Sequence, residues 1–302
     1  MRIFIYSLFL TICISSCKKD PEIITNNDAP FYAEIPTILL ENYVNRLYID
    51  LLGREPLDDE MIHDVQYLRD ADVTLESRDS LIYRLQFDTT FIEGDSSYKF
   101  AYFHRMYEMI KVRLLEGASN AYISDDLNNF WNDYVKDSIN GDLLSANKKL
   151  LEYNILKSVL DSELDYYNNE IELNEMHRRM IYNSVYDKIN MNTFNFINAA
   201  FDNLLFRYPT QYEFDEVYLM IEDNTAQIVL GSSGNNKEAF TNIICNTREF
   251  YEGVITWAYV TLLARHPSSE ETDILMQKFY YDHDFQWVQR QIMQSDEYAH
   301  FD

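Results

Sequence analysis

Fifty acidic side chains in 302 residues make carboxylate chemistry the first to consider. Glycoside hydrolysis needs two carboxyl groups held about 5 to 9.5 Å apart across a cleft, and in a chain so rich in acids no pair stands out by spacing. Tighter clusters are few. His177-Arg178-Arg179 could form a small basic site for an acidic ligand, but it lies in a strongly helical stretch, Glu163 to Ile189, where Glu170, Glu172 and Glu175 are at hand for pairing along the helix. Asp282-His283-Asp284 has metal-ligand residue types, yet consecutive residues do not easily converge on one ion, so the triplet reads as a polar helix break. Asp137 to Asp142 shares an Asn-Gly turn with calcium loops and lacks their carboxylate spacing. There is no HExxH, GxSxG or Cys/His metal pattern. No catalytic residue, cofactor or metal is therefore assigned. Trp131, Trp257 and Trp287 are the candidate binding residues, weighed against the ordinary fate of large aromatics, which is burial.

The net charge of −25 repels phosphate backbones, which excludes nucleic acid as a natural partner. Of the three cysteines, Cys13 and Cys17 lie in the first twenty residues and Cys245 stands alone in the apolar run Phe240 to Cys245. A disulfide within the body is excluded, and Cys245 reads as a small buried apolar residue.

The first twenty residues say where the chain belongs. Arg2 gives a positive start, Ile3 to Ile14 an apolar segment too short to span a bilayer as a helix, and Ser15-Ser16 small residues before Cys17. This order resembles the bacterial lipobox, Ile14-Ser15-Ser16-Cys17. The resemblance implies cleavage before Cys17, acylation of that cysteine and a lipid bilayer as its partner, with residues 1–16 a signal peptide and 17–34 a polar lipidated tether. Lys18, in place of an inner-membrane retention Asp, implies an outer-membrane address in the cell envelope.

Seven glycines, six prolines and 15% aromatic residues disfavour disorder and turn-rich β architectures. Leu39, Leu40, Tyr43, Val44, Leu47, Tyr48, Leu51 and Leu52 share one helical face between Pro36 and Gly53, and comparable faces run over Phe100 to Leu115, Leu127 to Ile139, Leu150 to Leu160 and Tyr166 to Ile189. The spacing predicts an all-α protein of ten to twelve helices. Gly231-Ser232-Ser233-Gly234 reads as a flexible inter-helix loop.

A repeat organises these helices. Tyr48-x2-Leu51-Leu52-x-Arg54-x-Pro56-x3-Glu60 recurs as Phe201-x2-Leu204-Leu205-x-Arg207-x-Pro209-x3-Glu213 and as Tyr259-x2-Leu262-Leu263-x-Arg265-x-Pro267-x3-Glu271. Each copy is followed by a second landmark: Asp88-Thr89-Thr90-Phe91, Thr247-Arg248-Glu249-Phe250 and Ser295-Asp296-Glu297-Tyr298. The paired leucines close a core-facing helix, the residue before proline leaves α geometry, and Thr210-x-x-Glu213 and Ser268-x-x-Glu271 are capping boxes for the next helix. Leu57-Asp58-Asp59-Glu60 keeps the acidic first turn without the hydroxyl cap. Each arginine is placed to bond the last carbonyls of one helix or the glutamate opening the next. Asp88, Thr247 and Ser295 read as N-caps three residues before an aromatic anchor.

The pattern LLxRxP with a downstream S/T-x-E-[FY] resembles the helical linker module of phycobilisome linkers and of large bacterial surface proteins, over residues 38–94 and 196–302. The resemblance implies a compact helical unit for protein–protein or surface attachment. The chain departs from that family in lacking a glycine shortly after the proline and in the long insert between the first and second copies. The first copy, with Tyr98 to Ser119, is also similar to a helical domain that accompanies cytochrome c-type modules; no CxxCH occurs, so a haem would belong to a partner. The expected organisation is a multi-helix array on three LLxRxP corners: repeat unit 1 at 35–119, a helical insert at 120–195, and units 2 and 3 at 196–302. The leading functional expectation is a membrane-anchored, non-enzymatic interaction or accessory module with an envelope protein partner. The alternatives are a glycan- or nutrient-binding lipoprotein, expected to show a cleft lined by exposed tryptophan, and an envelope hydrolase using a carboxylate pair.

Overall fold

A computed structural model describes residues 35–92 and 96–301. The lipobox, Cys17 and the tether lie outside the described residues. The described chain is helical almost throughout, and the first copy of the repeat is built from α1 (Thr37–Leu52), α2 (Asp58–Asp70) and α3 (Leu75–Phe87). After α4 (Tyr98–Leu114) comes a helical hairpin of α5 (Asn120–Ile139) and α6 (Leu143–Tyr167), then the short helices α7 (Leu173–Ile181) and α8 (Ser184–Asn190). The second copy uses α9 (Thr193–Leu205), α10 (Gln211–Glu222), a hairpin of β1 (Gln227–Val229) and β2 (Ser232–Gly234), and α11 (Lys237–Cys245). The third uses α12 (Arg248–Leu263), α13 (Ser269–Asp282), α14 (Phe285–Met293) and α15 (Asp296–Ala299).

The all-α expectation holds, with fifteen helices among the described residues instead of ten to twelve. The excess arises where the pattern was read as continuous. Tyr166 to Ile189 is not one helix: α6 ends at Asn168-Asn169, with Asn169 at φ +58°, and α7 and α8 are separated at Tyr182-Asn183. Asn183 caps α8 by accepting from the backbone N–H of Val185 and Tyr186. Gly231 to Gly234 is likewise no simple loop. Leu230 and Gly231, both at positive φ, make a two-residue turn joining β1 to β2 in antiparallel register, Val229 opposite Ser232.

Each repeat buries its first helix. In α1 the face read from spacing is the buried one: Leu40, Tyr43, Val44, Leu47, Tyr48, Leu51 and Leu52. Its counterparts α9 and α12 pack against each other, and Gly253 of α12 lies so close to the end of α9 that a Cβ would meet the Leu204 carbonyl oxygen at 2.0 Å. The third copy returns to the first. Tyr43 Oη donates to the Met293 carbonyl at 3.1 Å, Tyr298 Oη to Asp50 at 2.7 Å, and Tyr102 Oη to Gln289 at 2.6 Å, while Arg78 pairs with Asp296 at 2.8 Å. Residues Thr37–Asp302 thus form one compact unit containing all three copies and the insert.

Candidate functional site

The repeat arginines are densely bonded, and their geometry recurs three times. In each corner the helix ends in a left-handed residue: Gly53 at φ +74°, Phe206 at +54° and Ala264 at +54°. The helix therefore ends at Leu52, Leu205 or Leu263, three residues before the pre-proline position, which corrects the expectation that proline sterics end it. The arginine then turns forward. Arg54 donates to both oxygens of Glu60 at 2.7 and 2.8 Å, Arg207 to Glu213 at 2.9 and 2.7 Å, and Arg265 to Glu271 at 3.0 and 2.7 Å. Each guanidinium also donates to the carbonyl of the residue after it, Glu55, Tyr208 or His266. The same glutamate accepts from the backbone N–H three residues before it, at Leu57, Thr210 and Ser268. Thr210 and Ser268 complete reciprocal capping boxes, whereas Leu57 has no side-chain acceptor to return the bond. Pro56, Pro209 and Pro267 sit inside these loops, outside any helix, where no helical hydrogen bond calls for their missing N–H.

Two corners carry a second clamp. Arg207 also grips Glu249 and Arg265 grips Glu297 through two hydrogen bonds each, tying the corner to the first turn of α12 and of α15. Thr247 and Ser295 cap those helices by accepting from Phe250 and Tyr298 N–H at 3.1 and 3.2 Å, as expected. Asp88 does not. It closes α3 and accepts from Thr90 N–H at 2.7 Å, and Phe91 is exposed at 72%. The first-copy counterpart of Thr247 and Ser295 is Ser97, which accepts from Phe100 N–H at 3.2 Å and opens α4. There Tyr98 takes part in the corner, donating to Glu60 at 2.9 Å. Tyr48 reaches Asp64, which is fully buried and also held by Arg84 at 2.5 Å.

Arginine hydrogen bonds, first of all, hold Glu213 and Glu271 down at about 2, so both remain ionised at any working pH. Burial raises Glu60, but Arg54, Leu57 N–H and Tyr98 outweigh it and the net direction is down. With these carboxylates committed, the corner is a structural joint. Arg207→Ala is expected to lower stability by about 1 to 3 kcal/mol and Arg265→Ala by less, since its clamp is more exposed. Thermal melts measure this; unchanged melting with loss of a bound partner would make the corner a recognition site.

The three tryptophans separate. Trp257 is 7% exposed, stacked on Phe285 at 5.8 Å and beneath Arg113, so it is core and its placement among candidate binding residues is corrected. Trp287 is half-buried under Lys278 Nζ at 4.7 Å. Trp131 is 45% exposed, on the α5–α6 hairpin. Only Ile123 and Leu127 are buried along the twenty residues of α5, which packs chiefly on α6, so the outer part of the hairpin is an arm. Trp131 rests on Tyr153 of α6 at 5.4 Å, and Val135 and Ile139 continue its row one and two turns on, Ile139 80% exposed. Leu143 and Leu144, across the Asn140-Gly141 turn, are exposed as well. Of the three candidate tryptophans only Trp131 lies on this row; the signal for the rest is the 3.6-residue spacing of apolar residues on α5 beside a second row on α6.

The remaining clusters have ordinary partners. Arg178 and Arg179 both pair with Glu175, at 2.6 and 2.9 Å, and Arg179 reaches Asp165 at 2.6 Å. His177 points inward, its Nδ1 2.8 Å from the Leu173 carbonyl, and burial pushes its pKa to about 3. His283 is the left-handed end of α13, 2.6 Å from Glu172, and Asp284 caps α14 through Trp287 N–H. Asp142 caps α6 through Ser145 N–H at 3.1 Å. Cys245 is buried, and burial pushes its thiol up. Among the described residues no group of His, Cys, Asp and Glu could hold a metal, and no helix is long and apolar enough to cross a membrane. Surface depressions at Thr193 and Phe196, at Thr256 and His266, at Arg178 and Asn242, and at Tyr122 and Lys188 have no tryptophan in their walls. No protein-family model, curated protein or solved structure matches this chain.

Proposed function

We propose that this chain is a non-enzymatic interaction module of the bacterial envelope, tethered through lipid on Cys17 and working through its α5–α6 arm. The observation that carries the reading is the exposed Trp131, Val135 and Ile139 row on α5, a helix that buries only Ile123 and Leu127. A neighbouring observation supports it: the repeat arginines and glutamates, the most conspicuous polar side chains of the sequence, are engaged with each other. An apolar row flanked by polar residues is the composition of a protein contact face. Attachment is what the resemblance to helical linker modules implies as well.

Three measurements test this. Cys17→Ser is expected to abolish acylation and release the protein from carbonate-washed membranes; retention without acylation defeats the anchor. The full chain, affinity-purified from detergent-solubilised envelopes, is expected to bring down a stoichiometric protein, and Val135→Glu with Ile139→Glu is expected to lose it. Recovery that ignores those substitutions removes the arm from the function. Turnover of a glycan or peptide by the pure protein, lost on changing one carboxylate without unfolding, would replace the reading with a hydrolase.

A further inference from the structure

Asparagine followed by glycine occurs once in the sequence, at Asn140-Gly141, and the structure places the pair at the tip of the arm, in the turn from α5 to α6. Both residues are exposed. The backbone nitrogen that follows an asparagine can close a five-membered ring on the side-chain amide carbon, an intramolecular attack that a bulky next residue obstructs. Gly141 has no side chain, and nothing lies within 4 Å of where a Cβ would stand. Asn183, Asn192 and Asn246, each followed by serine or threonine, have their amides committed to helix caps and a neighbouring carbonyl. Among the described residues none bonds the Asn140 side chain. Asn140 ends α5 at φ −75° and ψ −6°, with Gly141 N–H donating to the Ser138 carbonyl at 3.2 Å and Asp142 N–H to Asp137 at 3.0 Å. Ring closure requires Asn140 to turn out of this ψ and release those two bonds. The buried residues of α5 stop at Leu127, so that opening is local and breaks no buried contact of α5.

We infer that Asn140 is a modification site, deamidating spontaneously in the folded protein and leaving a carboxylate that irreversibly alters the tip of the arm. The Gly141 nitrogen gives its proton to solvent base and bonds to Asn140 Cγ. The Cγ–Nδ2 bond breaks, and the side-chain nitrogen takes a proton from solvent and leaves as ammonia. Water then opens the cyclic imide: attack at Cγ gives aspartate, and attack at the backbone carbonyl carbon gives isoaspartate, whose main chain runs through Cβ and Cγ. Nothing is oxidised or reduced. Either product puts a negative charge at the C-terminal end of α5, where the helix dipole disfavours it, between Asp137 and Asp142 and directly after the exposed Ile139. Isoaspartate also lengthens the main chain of the turn and so re-aims the exposed Leu143 and Leu144. The consequence for partner contact rests on the proposed role of the arm; the reaction does not.

The test holds the purified full chain in detergent at mildly alkaline pH, samples it over weeks and maps its tryptic peptides by mass spectrometry. Cleavage after Lys136 and Lys148 releases residues 137–148, which contain both Asn140 and Asn147, so fragment ions compare the two in one peptide. Asn140 is expected to become aspartate and isoaspartate several-fold sooner than Asn147 or any other asparagine. Asn140→Gln, which could close only a six-membered ring, should keep its amide over the same period. A parallel incubation in urea gives the rate of the open chain. Amide loss in urea with none in the folded protein overturns the inference, because the turn then protects the site; so does loss at Asn147 as fast as at Asn140. Asn140→Asp and the aged wild type are then compared with fresh protein in capture of the envelope partner, and recovery is expected to fall at least threefold while Asn140→Gln retains it. Equal capture by Asn140→Asp and by aged protein shows that the modification does not act through the arm. If fresh protein captures no arm-dependent partner, the proposed role of the arm falls, and the peptide map still decides the modification.

Discussion

Gly253→Ala is expected to cost about 3 kcal/mol or more, although alanine is the better helix former by about 1 kcal/mol. Gly253 is buried in the middle of α12, and a Cβ there would stand 2.0 Å from the Leu204 carbonyl oxygen and 3.4 Å from Leu205 Cα. Both obstacles are backbone, so no rotamer change relieves them; α9 and α12 must separate. That separation would also pull on the corner just beyond Leu205, where Arg207 holds Glu213 and Glu249. Gly117→Ala is the control. Its φ of +76° disfavours a side chain, yet nothing lies within 4 Å of the added methyl, so the expected cost is only about 1 kcal/mol. Urea unfolding of the two variants compares them directly. A Gly253→Ala protein within about 0.5 kcal/mol of wild type would show that α9 and α12 do not pack this closely.

The corners were legible because their chemistry is local. Thr210 with Glu213 and Ser268 with Glu271 are separated by three residues, and helix-capping bonds join residues at that spacing in any context. What joins the corners was not legible. Glu249 and Glu297 read as parts of a capping landmark; their grip on Arg207 and Arg265 spans 42 and 32 residues and exists only once the copies pack. The same distance hid Gly253, whose reason is a carbonyl in another helix.

Other misreadings have local causes. Phe206 and Ala264 adopt the left-handed conformation that glycine marks at Gly53, so two of three helix ends carried no glycine to announce them. The first-copy landmark falls at Asp88 in the sequence because ten residues lie between Phe87, the end of α3, and Tyr98, the start of α4, so that the cap is Ser97. Strands of three residues, as in β1 and β2, are too short for alternation to register. The arm was divided between two separate helical faces in the sequence, and only their pairing reveals that Trp131 and Val135 are left over instead of buried.

His177 should make the fold sensitive to acid in a range where the clamped glutamates are still ionised. The ring is fully buried, edge-on to Phe250 at 5.2 Å and to Trp257 at 6.2 Å, with Nδ1 donating to the Leu173 carbonyl and Nε2 without a partner. Burial, assisted by the Arg113 charge, lowers its pKa from 6.5 to about 3. Between those values the unfolded chain binds a proton at this position and the folded chain does not, so stability is fully present above 6.5 and declines as the pH falls toward 3. The decline attributable to this ring from pH 7 to pH 5 is about 2 kcal/mol. His177→Leu removes the titrating group and keeps an apolar side chain in an aromatic cage. It is expected to cost about 1 kcal/mol at pH 7, from the lost hydrogen bond to the Leu173 carbonyl and the changed shape, and to be the more stable protein at pH 5. Unfolding free energies of both proteins at the two pH values decide the matter. Crossing curves place a neutral imidazole in the core; parallel curves would mean that the ring reaches water between α7 and α12.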